Sequence, residues 1–359
     1  MTSLQNGLRE NSNIISLLRF PLIVGVVFIH SLSLTHGDYP IYDLLYSLIT
    51  ETLCSVCVPL FFFFSGYLFF LNIEKLNIDV YISKLNKRVK TLVIPYVFWN
   101  LFVVAIIGIG QFFLPSLFTG AFKNVMDFDL KDWVSIFYCS LGSNKPIAYQ
   151  LWFLRDLILM IAITPLLFWL CKYLKLWWIA ALFVLSFIGV PSIVTGLSFF
   201  SLSYFCVGCL FGIYKQPFCL TSRKIKFYIF IVYVILVAGE LIAKINGWPC
   251  WEYVHRINTL IGCIAVIQLA SLYVERYNIS HVFYMKKSIN NATFFIYCYH
   301  GIIASFVGRI AINHLNNDLE AVFWYFAIVV FIVITGVLGY VLLKKLSPRF
   351  TGVITGGRT

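Results

Sequence analysis

The chain has 359 residues, of which 60% are hydrophobic and 12% are charged. Soluble domains carry about 25% charged residues, so this composition excludes a water-soluble globular enzyme and indicates an integral membrane protein. The net charge of +12 would also suit a nucleic-acid-binding protein, but the distribution of the basic residues along the chain argues against that class.

Ten apolar segments are predicted to cross the membrane as helices. They cover residues 14–34, 51–71, 91–114, 151–171, 176–190, 197–214, 227–245, 257–274, 292–313 and 321–343. The first of them is too long for a cleavable signal, so we expect it to be retained. The expected fold is all-α and polytopic, with about ten transmembrane helices in a single domain over residues 1–359 and no appended soluble domain.

The Lys and Arg residues predict how these helices are oriented. On the predicted topology, 19 of the 27 lie on the side that holds both termini. The positive-inside rule makes that side cytoplasmic. The positive charge is therefore an orientation signal, and no nucleic-acid partner is expected.

The first predicted helix carries two ionisable side chains, Arg19 and His30, with ten residues between them. Eleven helical steps return to within about 20° of the starting direction and advance by about 16 Å, so both side chains should project from one face. An ionisable group in a membrane segment costs about 2.5 to 3.5 kcal/mol on insertion scales and usually faces a protein interior or a wet cavity. The pair therefore predicts a functional face on this helix.

Two other patterns have an ordinary and a functional interpretation. The loop 72–90 is the most basic predicted cytoplasmic segment; it is either an orientation signal or a site for an anionic cofactor. The C-x-x-C pairs Cys54/Cys57 and Cys206/Cys209 have the spacing of metal or redox sites. They lie in apolar segments without nearby His or basic residues, so we interpret them as small hydrophobic side chains and expect no metal site.

Five motifs that occur in order give the chain a family resemblance. They are Arg19 with His30, VPLFFFFSGYL at 58–68, KRVKTLVIPY at 87–96, LWFL at 151–154 and FFIYCYH at 294–300. The series resembles the acyltransferase 3 family of integral membrane acyltransferases over nearly the whole chain. In one departure, members often carry a second arginine three residues after the first in the basic loop, where this chain has Thr91.

The resemblance implies an enzyme of the bacterial inner (cytoplasmic) membrane. It would move an acyl group, in the first place acetyl, from cytoplasmic acetyl-CoA or another acyl-CoA to a hydroxyl group. The implied acceptor is a cell-surface polysaccharide or a lipid-linked glycan, and no metal is implied. Such a protein has acyl-CoA, a glycan and membrane lipids as partners.

The resemblance and the chemistry together suggest two catalytic residues. His30 is predicted to be the general base, because a neutral imidazole can take the proton of an attacking hydroxyl. Glu51 is the candidate to orient that imidazole, since it begins the second predicted helix at the depth of His30. The ordinary alternatives are a histidine hydrogen-bonded within the bundle and a solvated carboxylate at a helix end.

Further residues are candidates for binding the substrates. Arg19, supported by Lys87, Arg88 and Lys90, is predicted to bind the phosphate groups of CoA, although a snorkelling arginine would also occupy this depth. The candidates for binding the substrate are Trp152, Arg155, His300 and Arg309. Arg155 could instead pair with Asp156 to stabilise the bundle, and His300 could be purely structural. Ser65 and Gly66 are interpreted as a helix-packing patch.

Two other classes of function compete with acyl transfer. A transporter or flippase of glycans or their precursors could also bury charges in such a bundle, but the matching halves with interrupted helices typical of transporters are not evident. A sensor or scaffold would need no acyl donor at all.

Overall fold

The structure is a computed structural model that describes residues 3–35, 37–73, 75–115, 123–220, 222–277 and 287–358. Within these ranges the ordered elements are helices and turns, without strands. In chain order the helices are α1 Ser3–Ile29, α2 Pro40–Tyr46, α3 Cys57–Phe70, α4 Ile78–Arg88, α5 Ile94–Phe113, α6 Leu130–Ser135, α7 Trp152–Ala162, α8 Thr164–Tyr173, α9 Lys175–Ile188, α10 Phe199–Ile213, α11 Arg223–Ile245, α12 Trp251–Tyr277, α13 Lys287–Ile312, α14 Asp318–Leu346 and α15 Pro348–Ile354. The prediction of an all-α polytopic membrane protein is confirmed.

Judged by length and composition, fewer than ten helical segments of the described ranges can span a membrane. Within the described ranges, seven helical segments can cross a membrane, and the pair α7 and α8 would be an eighth, although it is bent by 69°. Pro165 lies in the first turn of α8, where a missing N–H is tolerated because that group has no partner within the helix. The helices α9 and α10 have 14 and 15 residues, which is short for a span, so the expected count of about ten is not confirmed.

Two of the long spans contain π-helical turns. One π-turn, Ser47–Leu53, follows α2 and precedes the short turn that leads into α3. The other, Val89–Val93, connects α4 to α5. A π-turn places an extra residue in the helix and shifts the direction of the following side chains, and it frequently occurs at functional sites. The turns therefore change which face Glu51 and the residues after Arg88 present.

Glycines bring α3 and α10 into backbone contact. A Cβ atom at Gly208 would lie 2.0 Å from the carbonyl oxygen of Phe63, and one at Gly66 would lie 2.2 Å from that of Phe205. Only glycine permits such an approach. The prediction that Gly66 serves close helix packing is confirmed, whereas Ser65 lies on the opposite side of the contact and faces a cavity.

The C-terminal segment after α14 folds back onto the bundle. The indole Nε1 of Trp99 donates to the carbonyl oxygen of Ile354 at 3.1 Å, and the side chains of Thr351 and Thr355 are fully buried. This segment is therefore part of the core, and it brings the last described residue, Arg358, into the interior.

Two glycine substitutions test the contact between α3 and α10. Gly208→Ala is expected to destabilise the protein by about 1 to 3 kcal/mol, because the backbone of α3 must move away from the new methyl group. Gly239→Ala, in an open position of α11, is the control and should be neutral or stabilising by up to about 1 kcal/mol. Thermal unfolding of both variants in nanodiscs measures the difference; equal melting temperatures would contradict the close contact.

Candidate active site

One cavity contains four of the ten site residues that the sequence suggested, namely Arg19, His30, Arg88 and Trp152. It has a volume of about 650 Å³ and lies between α1, α3, α7 and α13. Its walls are largely aliphatic and aromatic, and its polar lining residues are Arg19, His30, Ser65, Arg88, Lys145, Gln150, Trp152, Asn290, Asn291, Thr293, Tyr297 and Arg358. The site is thus an apolar channel with charged groups at defined positions.

Arg19 and His30 line this cavity together, so the predicted common face of α1 is confirmed. Arg19 lies within α1, and His30 follows its last residue in a tight turn, where the His30 N–H donates to the carbonyl of Val27 at 3.2 Å. Because the two residues are eleven positions apart, the cavity extends for about 16 Å along α1. We call its two ends the arginine end and the histidine end.

Three guanidinium groups lie at the arginine end, those of Arg19, Arg88 and Arg358. Arg88 is the last residue of α4, and Arg358 comes from the C-terminal segment. In the part of the chain that the structure describes, none of the three forms an ion pair with an acidic side chain. Arg19 is exposed and Arg88 and Arg358 are half-buried. Because like charges repel and guanidinium groups bind anions through charge-assisted hydrogen bonds, this end is suited to an anionic ligand.

The histidine end is formed around His30 by aromatic and polar groups. The ring centroid of His30 lies 5.2 Å from that of His300 and 5.5 Å from that of Tyr149. Lys145, which also lines the cavity, is near enough for its charge to act on His30. The cavity therefore places a titratable ring beside a cation at the end opposite the three arginines.

His300 lies behind His30 in one defined tautomer. Its Nδ1 is 2.7 Å from the carbonyl oxygen of Tyr297 and 3.2 Å from that of Ile296. Carbonyl oxygens can only accept, so Nδ1 carries the proton and Nε2 of the neutral ring is an acceptor. That Nε2 atom is buried and has no hydrogen-bond partner among the described residues.

The structure corrects the predicted pairing of Glu51 with His30. The Glu51 carboxylate accepts from Ser47 Oγ at 3.1 Å and from Lys244 Nζ at 3.2 Å, and no hydrogen bond joins it to His30. Glu51 lies in the π-turn Ser47–Leu53, which directs its side chain towards α11. The nearby cation Lys244 then holds the carboxylate there.

Arg155 is also placed differently from its predicted role in substrate binding. Its guanidinium is buried and bonds Asp156 Oδ1 through Nε and Nη2, at 2.9 and 2.8 Å. Nη1 donates to the carbonyl oxygens of Tyr138 and Asn144. With four of its five N–H donors engaged away from the cavity, Arg155 fixes the loop that carries Lys145, which agrees with its structural alternative.

Three other predicted contacts lie outside the cavity. Lys87 and Lys90 are exposed and line a shallow surface depression with Asp79, because they project from the opposite side of the helix to Arg88. Arg309 is exposed near the end of α13. Trp152, the first residue of α7, lines the cavity, and its predicted role in substrate binding stays a prediction.

Several lining residues were not predicted from the sequence, and Arg358 is the most significant. It lies after the last predicted span, where a basic residue is naturally interpreted as an orientation signal. The pair Gly356 and Gly357 before it was the available clue, since both adopt positive φ angles of 64° and 81°. Consecutive glycines of this kind indicate a tight turn.

Comparison with known proteins defines the class. A family model described as an acyltransferase domain matches residues 13–341. The chain therefore belongs to the acyltransferase 3 family and is a multi-pass membrane acyltransferase.

One relative matches nearly end to end. The succinoglycan biosynthesis protein ExoH of Rhizobium meliloti (strain 1021) is 24% identical to this chain over 359 aligned positions, which cover 96% of this chain and 92% of that protein. No solved structure matches the chain significantly.

Proposed function

We propose that the protein transfers an acyl group, in the first place acetyl, from cytoplasmic acyl-CoA to a hydroxyl group of a cell-surface polysaccharide or lipid-linked glycan. The enzyme would act in the inner membrane of a bacterium. The observation that carries the proposal is one continuous cavity with His30 at one end and, at the other, three guanidinium groups that form no ion pair within the described part of the chain.

The arginine end suits the phosphate groups of CoA. Guanidinium groups bind phosphate oxygens through paired hydrogen bonds, and such charge-assisted bonds are the strongest of their kind. The pantetheine arm is long, flexible and largely apolar, so it fits the aliphatic and aromatic wall between the two ends. A donor held in this way presents its thioester to His30.

The histidine end suits attack of a hydroxyl group on that thioester. His30 takes the proton of the acceptor hydroxyl, and the oxygen forms a bond to the acyl carbonyl carbon. Lys145 supplies positive charge while the carbonyl oxygen becomes negative. The carbon–sulfur bond then breaks, and the CoA sulfur takes the proton from His30, so that an ester and free CoA result. Direct transfer requires no acyl-enzyme intermediate.

A carbohydrate acceptor is supported by the relative found in the comparison. Its name assigns it to the biosynthesis of succinoglycan, a polysaccharide, and the two chains align along nearly their whole length. An acceptor on the outer side of the membrane also agrees with the charge distribution, which orients the arginine end towards the cytoplasm.

His300 takes the orienting role that the sequence analysis gave to Glu51. Its Nε2 acceptor is buried without a hydrogen-bond partner among the described residues, and its ring centroid lies 5.2 Å from that of His30, so we propose that a protonated nitrogen of His30 donates to it. Such a bond would fix the tautomer of His30 and stabilise its protonated form during the reaction. His300 is then a positioning residue and does not bind the substrate.

The role of His30 is tested by replacing it. His30→Ala is expected to lower acyl transfer by at least about a hundredfold, the usual contribution of a general base, while acyl-CoA binding persists. Transfer of radiolabelled acetyl groups to glycan in membrane vesicles is the measurement. His314→Ala removes an exposed histidine and is the matched control; wild-type activity in His30→Ala would refute the mechanism.

The donor is tested by calorimetry on purified protein in nanodiscs. Arg19→Ala should weaken acetyl-CoA binding by about 10- to 100-fold, because a hydrogen bond to a charged group contributes about 1.5 to 3 kcal/mol. Arg309→Ala, which removes an exposed arginine, should bind as the wild type does. A folded wild type that binds no acyl-CoA would favour a glycan transporter or flippase instead.

The positioning role of His300 predicts a specific effect of His300→Asn. The asparagine amide can still donate to the Tyr297 carbonyl, but it has no atom in the position of Nε2. We expect kcat to fall by about 10- to 100-fold, the loss of a hydrogen bond to a charged group, with an unchanged KM for acyl-CoA. A purely structural His300 would instead lower the yield of folded protein and leave kcat per folded molecule unaffected.

A further inference from the structure

We propose that the C-terminal segment 348–358 is a built part of the donor site and that Arg358 binds a phosphate group of the acyl-CoA there. This inference rests on the proposed function and identifies which residues complete its donor site. It concerns a residue that lies beyond the segment matched by the family model, which ends at residue 341.

The segment is anchored at several points before it reaches the cavity. Helix α15 begins at Pro348, directly after α14. The hydroxyl of Tyr340, on α14, donates to the carbonyl oxygen of Arg358 at 2.9 Å, and Ile354 is 2% exposed. The segment is therefore held against the bundle at both of its ends.

A tight glycine turn directs Arg358 into the cavity. Gly356 has a φ of +64°, and a Cβ atom on it would lie 2.3 Å from the carbonyl oxygen of Thr91. Arg358 Nη1 lies 3.4 Å from the Thr91 oxygen and 2.8 Å from that of Thr355.

These contacts orient the guanidinium and leave part of it available. Its carbon lies 4.1 Å from the ring centroid of Phe294, so the planar group stacks on an aromatic face. Both backbone contacts use Nη1, and Nε and Nη2 have no hydrogen-bond partner among the described residues. Two neighbouring N–H donors on one edge are the arrangement that binds two oxygens of a phosphate group.

The electrostatic environment of Arg358 also favours the binding of an anion. Burial lowers the pKa of Arg358 to about 10, and the like charges of Arg19 and Arg88 contribute to the lowering. The group is still protonated at neutral pH, so three positive charges remain close together in a site without an acidic partner in the described ranges. Like charges held close together repel, and an anionic ligand relieves that repulsion.

The test compares two arginines of the same segment. Arg358→Gln removes the charge in the cavity, whereas Arg349→Gln removes an exposed charge and is the matched control. Both are titrated in nanodiscs with acetyl-CoA and with acetyl-3′-dephospho-CoA, and thermal unfolding confirms that they are folded. We expect Arg358→Gln to bind acetyl-CoA about 10- to 100-fold more weakly and Arg349→Gln to bind as the wild type does.

The two ligands separate the outcomes. An effect that disappears with acetyl-3′-dephospho-CoA assigns Arg358 to the 3′-phosphate, and an equal effect with both ligands assigns it to the pyrophosphate; either result supports the inference. Unchanged acetyl-CoA binding by Arg358→Gln overturns it while the donor proposal stands. Absence of binding by the folded wild type overturns both. If Arg358→Gln does not fold, Arg358→Lys keeps the charge without the planar fork and should still weaken binding.

Discussion

The cost of enclosing positive charge within a membrane bundle is the constraint on which the site depends. Arg19, Arg88 and Arg358 meet at one end of a cavity whose walls are mainly apolar. Unlike Arg155, which is neutralised by Asp156, none of them has an acidic partner in the described part of the chain. Proteins retain such an arrangement where a ligand supplies the missing charge. Under the proposed function, the phosphate groups of the acyl donor supply that charge.

The surrounding scaffold fixes the positions of the two ends of the cavity relative to each other. On one side, α3 is held by backbone contact with α10 at Gly66 and Gly208, which leaves its other face free to line the cavity. On the other, the buried Arg155 ties down the carbonyls of the loop that carries Lys145. Neither contact touches the cavity directly. Both reduce the freedom of the groups that do, which is how preorganisation lowers the cost of binding and reaction.

Local regularities were predictable from the sequence, and long-range contacts were not. The shared face of Arg19 and His30 follows from helix periodicity alone, and so does the packing face of Gly66. The partner of Glu51 depends on a π-turn and on Lys244, 193 positions away, and no local pattern reveals either. The position of Arg358 in the cavity was not predicted, because a basic residue beyond the last span is ordinarily interpreted as an orientation signal. Its backbone contact is with Thr91, the position where the family resemblance would place an arginine.

A neutral histidine such as His300 can be buried beside His30 at a lower free-energy cost than an ionised carboxylate. Glu240 illustrates the cost: as a fully buried carboxylate in α11, it engages four donors, from Thr52, Lys244, His255 and Asn258. An ionised carboxylate buried beside His30 would need a comparable set of donors. A histidine whose Nδ1 is held by a backbone carbonyl presents an acceptor without adding a charge. In the proposed mechanism, a neutral orienting group is buried beside His30, and the net charge at that end of the cavity stays with Lys145 and, during the reaction, with His30 itself.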